Sequence, residues 1–360
     1  MYEESKVSKI TAAEKNPDIV IRADGNAEIG AGHLMRCLAI ADEIRERERV
    51  VFWCADESGA TQARARGYKA LALGTDYRRM AQEVPLLEKA AGEGRKAFLV
   101  DSYYIDAGYL QALRAYGSVY LLEDVPGHIW PVDGVINYNA FAREEDYRRI
   151  YGRGTFPRLY IGPAYVPLRR QFSESAGSMP QAGPVERVLV TTGGGDSGNI
   201  AGKILEKIED IDCEIHVVSG PYNPNGGWLD GYASAHPRVK VHRQVTDMAG
   251  LMRGCDLAVT AGGTTVYELC ALGVPFVCFS YAENQEALTA YVGQGDMGWN
   301  AGEFHHDPKG TLERIDSLVR QAMARPGLRR RMSARAKVLV DGRGAKRLAE
   351  ALEAAAYMDQ

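Results

Sequence analysis

Short apolar runs alternate with stretches of helical spacing along nearly the whole chain, and that rhythm stops once and starts again. The first set of runs falls at residues 19–24, 50–54, 97–102, 118–123, 134–137 and 159–162. The second falls at 187–192, 214–219, 239–243, 257–260 and 275–280. After the first run, Leu34, Leu38, Ile40 and Ile44 recur at helical spacing. Strands that alternate with helices fold as a mostly parallel, doubly wound sheet. The break, residues 171–185, is rich in Ser, Gly, Ala and Pro and reads as a linker. The expected fold class is therefore α/β, with two Rossmann-like doubly wound domains, 19–170 and 186–327, facing each other across a cleft. Residues 1–18 read as a flexible arm, and 328–360, with Ala, Leu and Arg at helical spacing, as one or two terminal helices.

A chain of 360 residues is long enough for two such domains, each with its own core. Its formal charge of −4, without a basic block, gives no reason to expect nucleic acid or an anionic membrane surface as partner. No apolar run approaches the roughly 18–20 residues that span a bilayer, and residues 1–18 lack the hydrophobic core of a secretory signal. The six cysteines (Cys37, Cys54, Cys213, Cys255, Cys270 and Cys278) form no C-x-x-C pair. They read as reduced, buried thiols of a cytoplasmic enzyme. Oligomeric state is not legible.

Between the first run and the first helix lies Gly30-Ala31-Gly32-His33. In an open α/β sheet, ligands bind beyond the carboxyl ends of the strands, where this turn falls. Gly30 and Gly32 let backbone approach a ligand, and a helix N-terminus offers unpaired N–H groups. Into that place the sequence puts His33, whose unperturbed pKa lies near neutrality. His33 is therefore the candidate proton acceptor, and Asp24 is placed to orient its imidazole or to contact a substrate hydroxyl.

Two further glycine turns follow strands in the second half. One carries Gly193, Gly194, Gly195, Asp196, Gly198 and Asn199; the other Gly262, Gly263, Thr264 and Thr265, with Glu268 one turn on. Each ends a strand and starts a helix, the geometry in which free N–H groups and the helix dipole hold phosphate. One threonine of the second turn is expected to cap its helix, and Glu268 could reach the two hydroxyls of a ribose. Neither turn is a Walker loop or an NAD fingerprint. Together they indicate a nucleoside-diphosphate site.

Further residues extend this pattern in both halves. Arg22, Ala23, Asp24, Ile29, Gly30, Gly32, His33 and Arg36 are followed by Val100, Asp101 and Tyr103, then by Asp124, by Asn137, Asn139 and Ala140, by Tyr147, and by Gly162 through Tyr165. In the second half come Gly193, Gly194, Asp196 and Asn199, then Glu268 with Ala271 through Pro275, and Glu283, Asn284 and Gln285. In that order and spacing, over roughly residues 19 to 300, the chain resembles the UDP-sugar hydrolases of pseudaminic acid biosynthesis. Those enzymes are GT-B relatives of the MurG glycosyltransferase and release UDP from UDP-2,4-diacetamido-2,4,6-trideoxy-β-L-altropyranose. The resemblance implies the GT-B fold, a UDP-sugar substrate, inversion at the anomeric carbon and a base at His33. Residues 1–18 extend beyond the family's usual start, and Gly262-Gly263-Thr264 stands where many members carry small hydroxyl residues.

Releasing a nucleotide from an anomeric carbon needs a stabilised diphosphate, a water aimed at the sugar and a group to take its proton. The expected sugar-side residues are Gly30, Gly32, Arg36, Asp101, Tyr103, Asn139, Asn284 and Gln285. The expected nucleotide residues are Gly193, Gly194, Asp196, Asn199, Gly262, Gly263, Thr264, Thr265 and Glu268. No cofactor and no metal site are expected. Asp210-Ile211-Asp212 reads as a helix-to-strand junction, His305-His306-Asp307 as a solvated loop, since adjacent residues rarely converge on one ion, and Arg329 to Arg331 as a charged helix face. Two alternatives stay open: a GT-B glycosyltransferase that passes the sugar to an acceptor, and a non-catalytic nucleotide-sugar binding module. The transferase calls for an apolar, basic patch near the first domain, which the sequence does not display.

Overall fold

The computed structural model describes residues 17–358, apart from 27, 153, 155, 175–182 and 221. Most of the expected 1–18 arm and the middle of the expected 171–185 linker lie outside the described residues. Seven parallel strands form the first sheet: β1 (Ile19–Ala23), β2 (Val50–Cys54), β3 (Lys69–Ala72), β4 (Lys96–Asp101), β5 (Gly117–Leu122), β6 (Gly134–Asn137) and β7 (Arg158–Ile161). Their spatial order is β3-β2-β1-β4-β5-β6-β7. Six more form the second sheet: β8 (Arg187–Thr191), β9 (Glu214–Ser219), β10 (Val239–Arg243), β11 (Leu257–Ala261), β12 (Phe276–Ser280) and β13 (Trp299–Glu303). Their order is β10-β9-β8-β11-β12-β13.

Burial explains both sheets. Every residue of β1, β2, β4, β11 and β12 is buried, as expected of parallel strands covered on both faces by helices. Two edge strands, β3 and β13, were not expected. Both are only partly covered, as at a sheet edge: β3 (Lys-Ala-Leu-Ala) offers only a short apolar run and is half-buried throughout, and β13 (Trp-Asn-Ala-Gly-Glu) is interrupted by polar residues.

In each sheet the strand order reverses beside the first strand, between β1 and β4 and between β8 and β11. Such switch points open a crevice at the strands' carboxyl ends. The loops after β1 and β4, and those after β8 and β11, are therefore brought together in pairs.

The tail forms two helices. Pro326–Leu339 stays with the second domain, packing on the helix Thr264–Leu272. Gly344–Met358 crosses back to the first domain and lies on the helix Gly32–Ala41 and on β4. Leu348, Leu352, Ala355 and Ala356 are buried there. The crossing starts at Gly344, where a Cβ would stand 2.2 Å from the carbonyl oxygen of Val166. All six cysteines are buried and unpaired.

Candidate active site

The β1/β4 switch point carries a tightly bonded polar cluster. His33 lies in the first turn of the helix Gly32–Ala41, and Asp101 ends β4. The pairing of Ala23 with Asp101 across the two strands brings both loops to one place. His33 Nδ1 lies 2.6 Å from Asp101 Oδ1. Arg36, three residues along the helix and so on the same face, grips the same carboxylate through Nε at 2.6 Å and Nη2 at 2.5 Å. Arg36 Nη1 also donates to the Tyr138 hydroxyl at 2.7 Å and to Asp124 Oδ1 at 3.2 Å. The Tyr103 hydroxyl donates to Asp124 Oδ2 at 2.6 Å, and its ring stands edge-on to the imidazole with centroids 4.5 Å apart.

Asp101 is 1 % exposed. Burial alone would raise its pKa, but Arg36 and His33 overcome that and hold the carboxyl well below its usual range. An ionised Asp101 only accepts, so its 2.6 Å contact, shorter than the 3.1 Å approach of Arg36 Nη2 to the same nitrogen, assigns the proton to Nδ1 of His33. Nε2, which has no hydrogen-bond partner among the described residues, is then the basic nitrogen.

Asp24 does not orient the imidazole. Its Oδ1 accepts from the Ala55 backbone at 2.7 Å and its Oδ2 from Arg22 Nη1 at 2.6 Å. Arg22 is fully buried and also holds Glu83 through Nε and Nη2, and Tyr109 donates to the same carboxylate at 2.8 Å. Asp24 is thus the surface end of a buried charge network, and Asp101 takes the orienting position. Asp24 still lines the recess around His33, with Ile29, Asp101, Ser102, Tyr103, Tyr77 and Tyr104. Tyr77 and Tyr104, stacked edge to face at 5.6 Å, were missed by sequence reasoning. Nothing in their local sequence marks them, since tertiary folding alone brings residue 77 to the loop after β4. Gly30 adopts a φ of +75°, which glycine allows at little cost, and a Cβ on Gly32 would meet nothing within 4 Å. Asn139 sits behind the recess, donating to the Asp124 carbonyl at 3.2 Å.

The two second-domain turns differ from each other. Asp196 turns inward and accepts from the Ile200 and Ala201 backbones at 2.7 and 2.9 Å. Its carboxylate therefore fills the N-terminus of the helix Ile200–Lys207, where a phosphate was expected to sit. Asn199, at a φ of 49°, makes that tight entry, while a Cβ on Gly193 or Gly194 would find open space. The helix Thr264–Leu272, by contrast, has Gly263 at its N-cap and no side-chain cap, so neither Thr264 nor Thr265 closes it. Gly263 faces open space, whereas Gly262 is packed, since a Cβ there would lie 2.5 Å from Thr289 and 3.1 Å from Gln285. Glu268 accepts from Arg169 Nη2 at 3.0 Å. Burial raises the Glu268 pKa and Arg169 opposes the rise. Arg169, at the end of the first domain, is a second partner that sequence reasoning missed.

Asn284 and Gln285 open the helix Glu283–Gln294 in the second domain, beside Gly262. They do not line the His33 recess, because they belong to the opposite sheet. The halves meet where the Tyr267 hydroxyl accepts from the Ala140 backbone at 3.0 Å and where Gln62 donates to the Tyr222 hydroxyl at 3.1 Å. Asp210 and Asp212 pair with Arg320 and Arg238 on the surface. Asp307 caps the helix Pro308–Ala324, while His305 and His306, contrary to expectation, converge on Glu286.

No protein-family model matches the chain. Its fold is GT-B. MurG of Acinetobacter baumannii superposes with a TM-score of 0.61 at 13% identity, over 94% of this chain and 100% of MurG. The kitacinnamycin glycosyltransferase gives 0.65 at 18% identity, over 93% and 98%. Among sequence relatives, the spore coat polysaccharide biosynthesis protein SpsG of Bacillus subtilis is 27% identical over 345 residues, 92% of this chain and 97% of the relative. The UDP-2,4-diacetamido-2,4,6-trideoxy-β-L-altropyranose hydrolase of Campylobacter jejuni is 22% identical over 281 residues, 76% and 95%. An uncharacterized protein of Methanocaldococcus jannaschii is 27% identical over 279 residues, and the chain spans only 56% of its length. The resemblance to the altropyranose hydrolases and the GT-B fold expected from it both hold. Among the described residues, no helix is long and apolar enough to cross a membrane.

Proposed function

We propose that this protein hydrolyses a UDP-linked diacetamido-trideoxy sugar, with water attacking the anomeric carbon and His33 taking its proton. The observation that carries the reading is the His33–Asp101 contact of 2.6 Å at the β1/β4 switch point. A buried, ionised Asp101 keeps the proton on Nδ1 and leaves Nε2 basic toward the recess. When Nε2 takes the proton of water, the imidazolium that forms lies against that carboxylate, which stabilises it. The water oxygen bonds to the anomeric carbon from the face opposite the nucleotide, and the bond from that carbon to the phosphate oxygen breaks. Configuration therefore inverts, and UDP leaves with the electron pair.

The leaving diphosphate is assigned to the uncapped N-terminus of the helix Thr264–Leu272. Its backbone N–H groups and helix dipole favour negative charge, and the adjacent threonine hydroxyls can donate. The Asp196-capped helix is not available for this. Glu268 would take the ribose hydroxyls, exchanging its contact with Arg169 for them or sharing it. Two carboxylates that could otherwise hold Mg²⁺ are committed, Asp196 to two backbone amides and Asp101 to Arg36 and His33, so the diphosphate is read as bound without a protein-held cation.

Transfer to an acceptor remains the second reading because the loop after β5, adjoining Asp124, exposes Val125 and Ile129 at 74% and 66%. That apolar pair is absent from any sequence pattern and could meet an acceptor. Incubation with UDP-, GDP- and CMP-sugars, with and without acceptors, separates the readings. UDP release into water alone supports hydrolysis; release only with an acceptor supports transfer; binding without turnover supports a non-catalytic module.

A further inference from the structure

Apart from the residues that line the His33 recess, three metal-ligating side chains meet on the second domain. Glu286 lies in the first turn of the helix Glu283–Gln294, and His305 and His306 lie in the turn after β13. Glu286 Oε1 is 2.9 Å from His305 Nε2 and 3.6 Å from His306 Nε2. All three ligand atoms fall within 4.8 Å of one another. In a tetrahedral zinc site with bond lengths near 2.0–2.1 Å, neighbouring ligand atoms stand about 3.3 Å apart. The two measured separations bracket that value. The backbone places them: Phe304 N donates to the Ser280 carbonyl at 2.6 Å, which ties the end of β13 to the end of β12 where the helix begins.

We propose that Glu286, His305 and His306 bind one divalent ion of the zinc class, with water completing the shell. The ion fastens the first turn of the Glu283–Gln294 helix to the loop after β13. Imidazole nitrogen with one carboxylate suits zinc over calcium or magnesium, which take all-oxygen shells. His305 Nδ1 is buried without a partner among the described residues. The outer-shell acceptor that tightens most histidine sites is thus missing, and the affinity should fall below that of structural sites with four protein ligands. The ion is given no part in the reaction, since none of its ligands lines the His33 recess. The site stands whether or not UDP-sugar hydrolysis is the activity.

Chelator-treated, tag-free full-length protein should take up one equivalent of Zn²⁺ in competition with a fluorescent chelator. Co²⁺ should give the visible absorption of a tetrahedral complex. Glu286→Gln and His306→Ala, both at accessible positions, should each weaken binding by about tenfold or more. Zn²⁺ should raise the Tm of the wild type, by mass action, and not that of the variants. His242→Ala, which disrupts the separate His216–His242 contact of 2.9 Å, should change nothing. Absence of stoichiometric uptake would overturn the proposal. So would uptake that survives both ligand variants or that is lost in His242→Ala.

Discussion

Replacing Asp101 by Asn tests whether that carboxylate works through His33. The substitution keeps the volume and removes the charge that faces Nδ1 at 2.6 Å and Arg36 at 2.6 and 2.5 Å. A hydrogen bond to a charged group contributes about 1.5–3 kcal/mol. If that contact strengthens only as the imidazolium forms, its loss lowers kcat by about 10- to 150-fold, at 1.36 kcal/mol per tenfold. Breaking a buried pair costs about 3–5 kcal/mol of stability when the partner is stranded. Arg36 keeps Asp124 and Tyr138, so the lower end is expected and the variant should fold. Denaturant unfolding verifies that, and steady-state UDP release gives kcat. The deciding comparison is the double variant with His33→Asn. If Asp101 acts through the imidazole, the double variant is no slower than His33→Asn alone. Multiplying effects, or near-normal kcat in Asp101→Asn, would refute the orienting role.

The other expectations can be checked separately. Glu268→Ala should weaken UDP and substrate binding alike, by about 1.5–3 kcal/mol in calorimetric titration; unchanged affinity would leave Glu268 only its structural contact with Arg169. Asp196→Ala should cost about 0.5–2 kcal/mol of stability as a lost helix cap, with UDP affinity nearly unchanged; a large affinity loss would return Asp196 to the nucleotide site. Because Asp101 titrates lower when folded, its contribution to stability is complete above the unfolded carboxyl pKa of about 3.9 and disappears as pH falls further toward the folded value. Acid unfolding of Asp101→Asn should therefore be less steep below roughly pH 4. Nucleotide release should continue undiminished in excess EDTA, and a strict requirement restored by Mg²⁺ or Mn²⁺ would overturn the metal-free reading.

Fold and site were legible to different depths. Strands buried on both faces announce themselves as apolar runs, so β1, β2 and β4 through β6 could be placed; β7, a half-buried edge strand, could be placed from Leu159, Tyr160 and Ile161, while β3 and β13 could not. The glycine turns could be placed at the carboxyl ends of β1, β8 and β11, because that follows from local chain chemistry. Which carboxylate meets His33 does not. Asp24 is near in sequence, but Arg22 and the Ala55 amide claim it; Asp101 arrives from β4 because the sheet order reverses there. The same limit applies to Asp196, whose spacing allows a phosphate contact or an inward cap, and to Tyr77, Tyr104 and Arg169. The histidine pair was noticed and read as a solvated loop; its partner Glu286 was missed for the same reason, since 19 residues separate it from His305.

The most direct test of the central claim is the rate of UDP release into water by His33→Asn against the wild type, with UDP affinity measured alongside. Loss of a general base should lower turnover by about 10²-fold or more, with UDP binding unchanged because the proposed nucleotide site lies on the other domain. Near-normal release by His33→Asn would remove His33 from the mechanism and contradict the account.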